Sequence, residues 1–306
     1  MRFPATPRAI PKTCARSLAA LAIVFTLACL PSCNTPDSVA AFCSSAVATL
    51  KSGDAVFDDM KASCIREAQT RERFDTFSLS DATPAVCEDI GKQAEGLKAV
   101  SRILADYFSA LNDLAAFGKA KAADESDEGN GKAASDTGSQ AAKASASAKL
   151  TGARQKALES VAGFLAKVVS SGYQQKHLAD DIVKVHGDVK AVLDGLGEAA
   201  GAIYLDQLQD EEEKTVTRYK AFLLEHPDDA AAILALDTRW QADRATFAAK
   251  RKAALSFKAA LETVARGDDA LAAHARGPAA RDLAALLSPY AAQLQSLVPA
   301  IQKAFF

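Results

Sequence analysis

Residues 39–64 read VAAFCSSAVATLKSGDAVFDDMKASC, and the reading of Ser52-Gly53-Asp54 at their centre decides the fold. Ser-Gly-Asp is a common turn composition, and a turn here makes two short helices of a hairpin. The apolar positions argue otherwise. Val39, Cys43, Ala46, Leu50, Gly53, Phe57, Met60 and Cys64 follow one another at steps of four and three residues, and the stripe crosses Gly53 without losing phase. A hairpin resets the phase of such a stripe. The stretch therefore predicts one continuous helix from Asp37 to about Arg73, with Gly53 tolerated inside it at about 1 kcal/mol relative to Ala.

The same period runs through the rest of the chain. After residues 74–82, Thr83 has the chemistry of an N-cap and Pro84 that of a first helical position. The stripe resumes as Val86, Ile90, Leu97, Val100, Leu104, Tyr107, Leu111 and Leu114 and ends near Gly118. A third helix is expected from about Leu150 to Ser171, with Leu158, Val161, Leu165 and Val168 inward. A fourth follows Gly172, with Leu178, Ile182, Val185, Val189, Val192, Leu196, Ala199 and Ile203 inward. It continues less cleanly through Leu208, Val216, Tyr219 and Leu223. Gly195, Gly197 and Gly201 leave open whether it is continuous or kinked. His226-Pro227-Asp228 ends it, since proline disfavours helix in the residue before it. A fifth helix carries Ile233, Leu236, Trp240, Phe247, Ala254, Phe257, Leu261 and Val264 and is closed by Arg266-Gly267-Asp268. A short helical piece, Asp269 to Arg276, precedes Gly277-Pro278. The last helix carries Leu283, Leu287, Tyr290, Leu294, Leu297 and Ile301, with Pro289 placed to bend it. No strand alternation appears.

A period near 3.5 implies left-handed supercoiling with knobs-into-holes packing, and short connections make sequential helices antiparallel. The fold class expected is all-α: an elongated antiparallel bundle with coiled-coil-like packing. Residues 119–149 are the exception. They mix Gly, Ser, Ala, Asp and Lys with no periodic apolar residue and are expected to form a disordered linker. It separates a first helical pair, residues 33–118, from the remaining helices at 150–306.

The N-terminus carries an address. Arg2, Arg8, Lys12 and Arg16 form a basic segment with no acidic residue before Asp37. Leu18 to Leu30 is an apolar run, at 13 residues shorter than the about 20 that span a bilayer. Leu30-Pro31-Ser32-Cys33 resembles the lipobox of bacterial lipoproteins. The resemblance implies that residues 1–32 are a signal peptide removed before Cys33, and that Cys33 carries the lipid. It further implies three acyl chains, where stable anchoring takes two. Asn34 in place of Asp leans, by resemblance to enteric lipoproteins, towards the outer membrane, facing the periplasm or surface-exposed. Two segments, Leu104-Ala-Asp-Tyr-Phe-Ser-Ala-Leu111 and Asp269-Ala-Leu-Ala-Ala-His-Ala275, are similar to stretches in a group of helical proteobacterial lipoproteins. That group implies a helical exported protein and brings no activity with it.

Composition narrows the partners. The whole chain has 36 basic and 38 acidic residues. Loss of the four signal cations moves the mature chain to a net charge of −6, which argues against nucleic acid and against electrostatic binding to anionic lipid. Of six cysteines, Cys14 and Cys29 leave with the signal and Cys33 is the lipid site. Export places Cys43, Cys64 and Cys87 where disulfides persist. On a continuous first helix Cys43 and Cys64 lie about 30 Å apart, beyond disulfide reach. Cys64 and Cys87 flank the loop between the first two helices, so the bond expected is Cys64–Cys87, with Cys43 a buried thiol.

No catalytic residue, cofactor or metal site is expected. His177, His186, His226 and His274 lack a partner at metal-ligand spacing, and no phosphate loop, dinucleotide fingerprint or nucleophile elbow occurs. Asp210-Glu211-Glu212-Glu213, Asp58-Asp59 and Asp180-Asp181 read as solvated helix faces. The favoured function is a membrane-anchored, non-catalytic scaffold or interaction module with an envelope protein as partner. Two alternatives stand beside it. One is a pore-forming-like protein inserting a segment such as Val161 to Val169, which is short and contains Lys167. The other is an enzyme built on a carboxylate pair in a deep polar pocket.

Overall fold

Thr35 to Thr76 form a single helix, α1, that passes through Ser52-Gly53-Asp54 unbroken. The computed structural model describes residues 35–76, 85–120, 133–169, 178–275 and 280–305. The described residues are all-α: α1, α2 (Ala85–Ala120), α3 (Ala133–Ser147), α4 (Gly152–Val169), α5 (Leu178–Glu198), a π turn (Ala199–Ile203), α6 (Tyr204–Glu225), α7 (Ala230–His274) and α8 (Ala280–Gln302). They belong to one unit, Asn34–Phe306. Thr83, Pro84, His177 and the signal segment with Cys14, Cys29 and Cys33 lie outside the described residues.

The stripe of α1 is inward along its length: Cys43, Ala46, Leu50 and Phe57 are fully buried, and Met60 and Cys64 nearly so. Gly53 belongs to that stripe for a steric reason. A methyl group at its α-carbon would lie 2.3 Å from Cζ of Phe257, so the missing side chain is a hole that the α7 aromatic fills. α1 and α2 are antiparallel. Ser101 donates to the Leu50 carbonyl at 2.9 Å and Lys98 to Asp58 at 2.7 Å. Beyond them Cys64 and Cys87 are joined, with α-carbons 5.6 Å apart. Closing a segment of this length removes about 3 kcal/mol of denatured-state entropy in the chain-entropy argument.

α5, the π turn and α6 form one continuous helical rod from Leu178 to Glu225. The glycines do not break it. The rod instead takes up one wide turn at Ala199–Ile203, and this changes which residues face inward. A π turn inserts a residue relative to the α period. Ile203, expected inside, is 42% exposed, whereas Tyr204 and Leu208 are fully buried. α6 runs parallel to α1, since Asp59 meets Tyr204 and Arg66 meets Glu211. α7 runs antiparallel to both.

Three further expectations need correction. Arg266-Gly267-Asp268 does not close a helix, because α7 continues to His274. Gly267 is another packing hole: a methyl group there would lie 2.2 Å from Cε2 of Phe42. Residues 119–149 are not a linker throughout, since 133–147 form α3. Its apolar face is made of alanine, with Ala141, Ala144 and Ala148 buried. Small residues give no strong hydrophobic period but let backbones touch, and a methyl group at Gly96 of α2 would lie 2.2 Å from the Ala148 nitrogen. α3 ends in a Schellman motif: Leu150 N donates to Ser145 O, Lys149 N to Ala146 O, and Lys149 takes φ of 55°. The third correction concerns the carboxylate runs.

Candidate functional site

Asp58-Asp59 and Asp210-Glu211-Glu212-Glu213 are not simply solvated faces. Asp59 and Glu211 meet across the α1–α6 seam with Arg66 between them. Arg66 spends its guanidinium on both: Nε reaches Glu211 Oε1 at 2.6 Å and Nη1 reaches Asp59 Oδ1 at 3.0 Å, while Nη2 serves a second oxygen of each. Ser63 donates to Glu211 Oε2 at 2.6 Å. Tyr204 donates to Asp59 Oδ2 at 2.6 Å, and Lys250 of α7 donates to Asp59 Oδ1 at 2.8 Å. Glu67 pairs with Lys214 and accepts from Gln207, and Glu212 pairs with Arg251.

Three helices are thus tied by a charge network whose members satisfy one another, the condition for keeping ions in a low-dielectric setting. Burial pushes the Asp59 carboxyl up; hydrogen bonds from Arg66, Lys250 and Tyr204, with the Arg66 charge, outweigh it and hold Asp59 below the usual range. Burial pulls Arg66 down, and Glu211 and Asp59 more than restore it. Burial and the Asp59 charge push the Tyr204 hydroxyl up.

Above this network, between α1, α6 and α7, lies a cleft of about 560 Å³. Arg66, Glu211 and Lys250 line it, joined by Arg218, Tyr219, Arg239 and Asp243 from the helices beyond. Tyr219 donates to Asp243 at 2.6 Å and Arg239 Nε to the same oxygen at 3.3 Å. Burial and the Asp243 bond push the Tyr219 hydroxyl up to about 12. The sequence signal for this site is weak, because its α1 members lie over a hundred residues from those on α6 and α7.

Past the cleft the character changes. No residue from 216 to 246 is buried, so α6 and the start of α7 form a two-helix arm held by its own seam. The Tyr219 and Trp240 rings meet edge to face at 6.0 Å, and Asp229 caps α7 by accepting from Ala232 N at 2.9 Å. Towards its tip the arm exposes Leu224 (82%) and Leu234 (68%). A groove of about 350 Å³ between its helices is walled by Val216, Leu223, Ile233, Leu236 and Trp240.

A separate polar group lies in the core. Asp268 is 1% exposed, accepts from the Tyr107 hydroxyl at 3.1 Å, and leaves Oδ2 without a partner. Burial drives its carboxyl up to about 7, and Asp269 adds to this. Burial and the Asp268 charge also push the buried Cys43 thiol up.

The residues singled out in the sequence are dispersed. His186 Nδ1 lies 3.4 Å from Asp269, His226 follows the last turn of α6 against the Phe222 ring, and His274 Nδ1 lies against the Ala270 carbonyl. Among the described residues no group of three or more His, Cys, Asp or Glu is arranged to hold a metal, and no helix is long and apolar enough to cross a membrane. Val161 and Leu165 of the candidate inserting segment are core residues of α4. Compared with known proteins, the chain matches no family model, no curated protein and no solved structure.

Proposed function

We propose that this chain is a lipid-anchored, non-catalytic envelope protein that holds a docking arm away from its membrane. The observation that carries the reading is the direction of α6 relative to α1. Cys33 is two residues from Thr35, where α1 begins. α6 runs parallel to α1 and beside its far half, so the arm tip lies at the end remote from the anchor. At 1.5 Å per residue, Thr35 to Arg66 and then Glu211 to Glu225 add up to roughly 65 Å along the helix axes. Leu224, Leu234 and the groove at Trp240 are apolar surface placed at that end, where an exposed patch marks a contact site. The groove suits a partner helix laying apolar side chains between α6 and α7, with Lys220 and Asp237 at its edges. The acidic mature chain makes nucleic acid an unsuitable partner, and Asn34 favours the outer membrane over the inner.

A photo-crosslinking residue placed at position 234, in cells, is expected to give a discrete higher-mass adduct. The same residue at Leu286 of α8, which is 38% exposed, is expected to give none. Adduct at both positions, or at neither, overturns the docking arm. Mass spectrometry of the membrane-extracted protein tests the anchor: the reading requires an N-terminal acylated Cys33 peptide, and an N-terminus elsewhere removes the tether.

A further inference from the structure

We propose that the partner of the arm is a second copy of this chain, the two arms lying side by side about a two-fold axis that runs along them. This rests on the docking arm proposed above and names its occupant. Tyr219 meets Trp240 across the arm, and that contact sets the register of the two antiparallel helices. Counting from it at 1.5 Å per residue, Lys220 and Asp237 lie level to within about 3 Å, and Leu224 and Leu234 lie level about one turn nearer the tip. Lys220 lines the groove from α6 and Asp237 from α7. Leu224 and Leu234 stand one turn from them on the same helix faces. The groove is thus flanked by two ridges, Lys220 with Leu224 on α6 and Asp237 with Leu234 on α7.

A two-fold rotation about the groove exchanges these ridges. α6 of one copy then faces α7 of the other, so Lys220 meets the partner's Asp237 and Leu224 meets the partner's Leu234, twice over. The charges suit this contact and find no match inside the chain. Every position three or four residues from Lys220, and from Asp237, along its own helix is uncharged, so neither forms an ion pair there. Among the described residues neither has an ion-pair partner on another helix. Residues 216–246 carry four basic and five acidic side chains, a net charge of −1 against −6 for the mature chain. Two arms therefore approach with little of the repulsion that two bundles impose. The apolar surface closes as well. No residue from 216 to 246 is buried, because a lone helix pair has an open seam. The same pair rotated onto it makes a four-helix bundle with antiparallel neighbours, and Leu223, Ile233, Leu236 and Trp240 face a closed core. Leu224 and Leu234, the most exposed large apolar side chains of the described residues, are covered at the tip. An axis along the arms also leaves both anchors at one end, as two chains held in one membrane require.

Two copies with different epitope tags are produced together in cells, each with an apolar photo-crosslinking residue at position 234. The expected adduct has twice the mass of the chain and carries both tags. Lys220→Asp in both copies, or Asp237→Lys in both, is expected to lower its yield about tenfold or more, since each change opposes like charges twice across the axis. Lys220→Asp in one copy with Asp237→Lys in the other again sets opposite charges against each other at both contacts, and the adduct is expected to return. That return also shows that both variants fold. An adduct of any other mass overturns self-pairing and leaves the docking arm with a foreign partner, whereas no adduct at all overturns both readings. A two-tag adduct that the single variants leave unchanged, or that the mixed pair does not restore, overturns the two-fold arrangement.

Discussion

The ring of Phe257 occupies the space where a side chain at Gly53 would begin, 2.3 Å from the position of a methyl carbon. Phe42 stands in the same relation to Gly267, at 2.2 Å. α1 and α7 therefore lock through two reciprocal holes, each helix giving one phenylalanine and one glycine. Gly53→Ala and Gly267→Ala should each destabilise by up to about 2 kcal/mol net, because an overpacking cost of about 1–3 kcal/mol outweighs the about 1 kcal/mol that alanine gains in a helix. Gly187 of α5 has nothing near a built methyl, so Gly187→Ala should stabilise by about 0.5–1 kcal/mol. Urea denaturation of the three variants checks the signs. A stabilised Gly53→Ala would mean that Phe257 moves aside freely and that the hole carries no packing energy.

This pair also marks where sequence reading stopped. Phase continuity through Gly53 was legible, and with it the all-α class, α1 as one helix and the Cys64–Cys87 bond. The reason for the glycine was not, because Phe257 lies over two hundred positions away. The same limit explains Gly267, where a lone glycine beside charged residues looks like a helix end. α3 was missed because alanine is a weak signal of burial, although it packs as closely as any residue when a glycine faces it. Ile203 was misplaced because a π turn adds a residue that no periodic template contains. The polar network was invisible for a chemical reason: Asp59 and Glu211 look like surface charges until Arg66, Ser63, Tyr204 and Lys250 are known to reach them.

Cys64 and Cys87 should be found joined in non-reducing peptide mass spectrometry. Cys64→Ala with Cys87→Ala should lose about 3 kcal/mol, since the chain between them is then unconstrained when unfolded. Cys43 should resist alkylation in the native protein and react once urea unfolds it, because burial disfavours its thiolate. Native labelling of Cys43 at the rate of an exposed thiol would show that α1 opens locally around it.

Glu211 and Arg66 make a second stability test. Glu211→Ala leaves Arg66 with one carboxylate and deprives the fully buried Ser63 hydroxyl of its acceptor. Removing one partner of a buried pair costs about 3–5 kcal/mol. Arg66 is partly exposed, so a loss of about 2–3 kcal/mol is expected here once solvent screening is allowed for. Arg66→Met with Glu211→Leu should lose less than Glu211→Ala alone, since neither member of that pair is left stranded and Asp59 keeps Lys250 and Tyr204 as partners. Thermal melts at fixed pH separate the two. Equal losses in the single and double variants would mean that the network adds nothing beyond its shape.

Asp268 and Asp59 should respond to pH in opposite senses. Asp59 is held below its usual range, so its contribution is present above about pH 4 and fades as pH falls through its lowered value. Asp268 is raised from 3.8 to about 7. The folded state therefore favours its protonated form, and its contribution is full below pH 4 and lost as pH climbs to 7. About three pH units correspond to about 4 kcal/mol at the upper plateau. The groups around it do not reverse this. Tyr107 and Cys43 are both raised by burial and then by the Asp268 charge, and Asp269 repels Asp268 while engaging His186 and Lys190. Asp268→Asn keeps an acceptor for Tyr107 and removes the ionisation. The stability of Asp268→Asn minus that of the parent should thus rise steadily between pH 4 and 7 and level off above. Denaturation midpoints taken every half unit measure that difference. A flat difference would mean that the carboxylate stays ionised in the core and that Oδ2 is satisfied by solvent reaching it between α2 and α7.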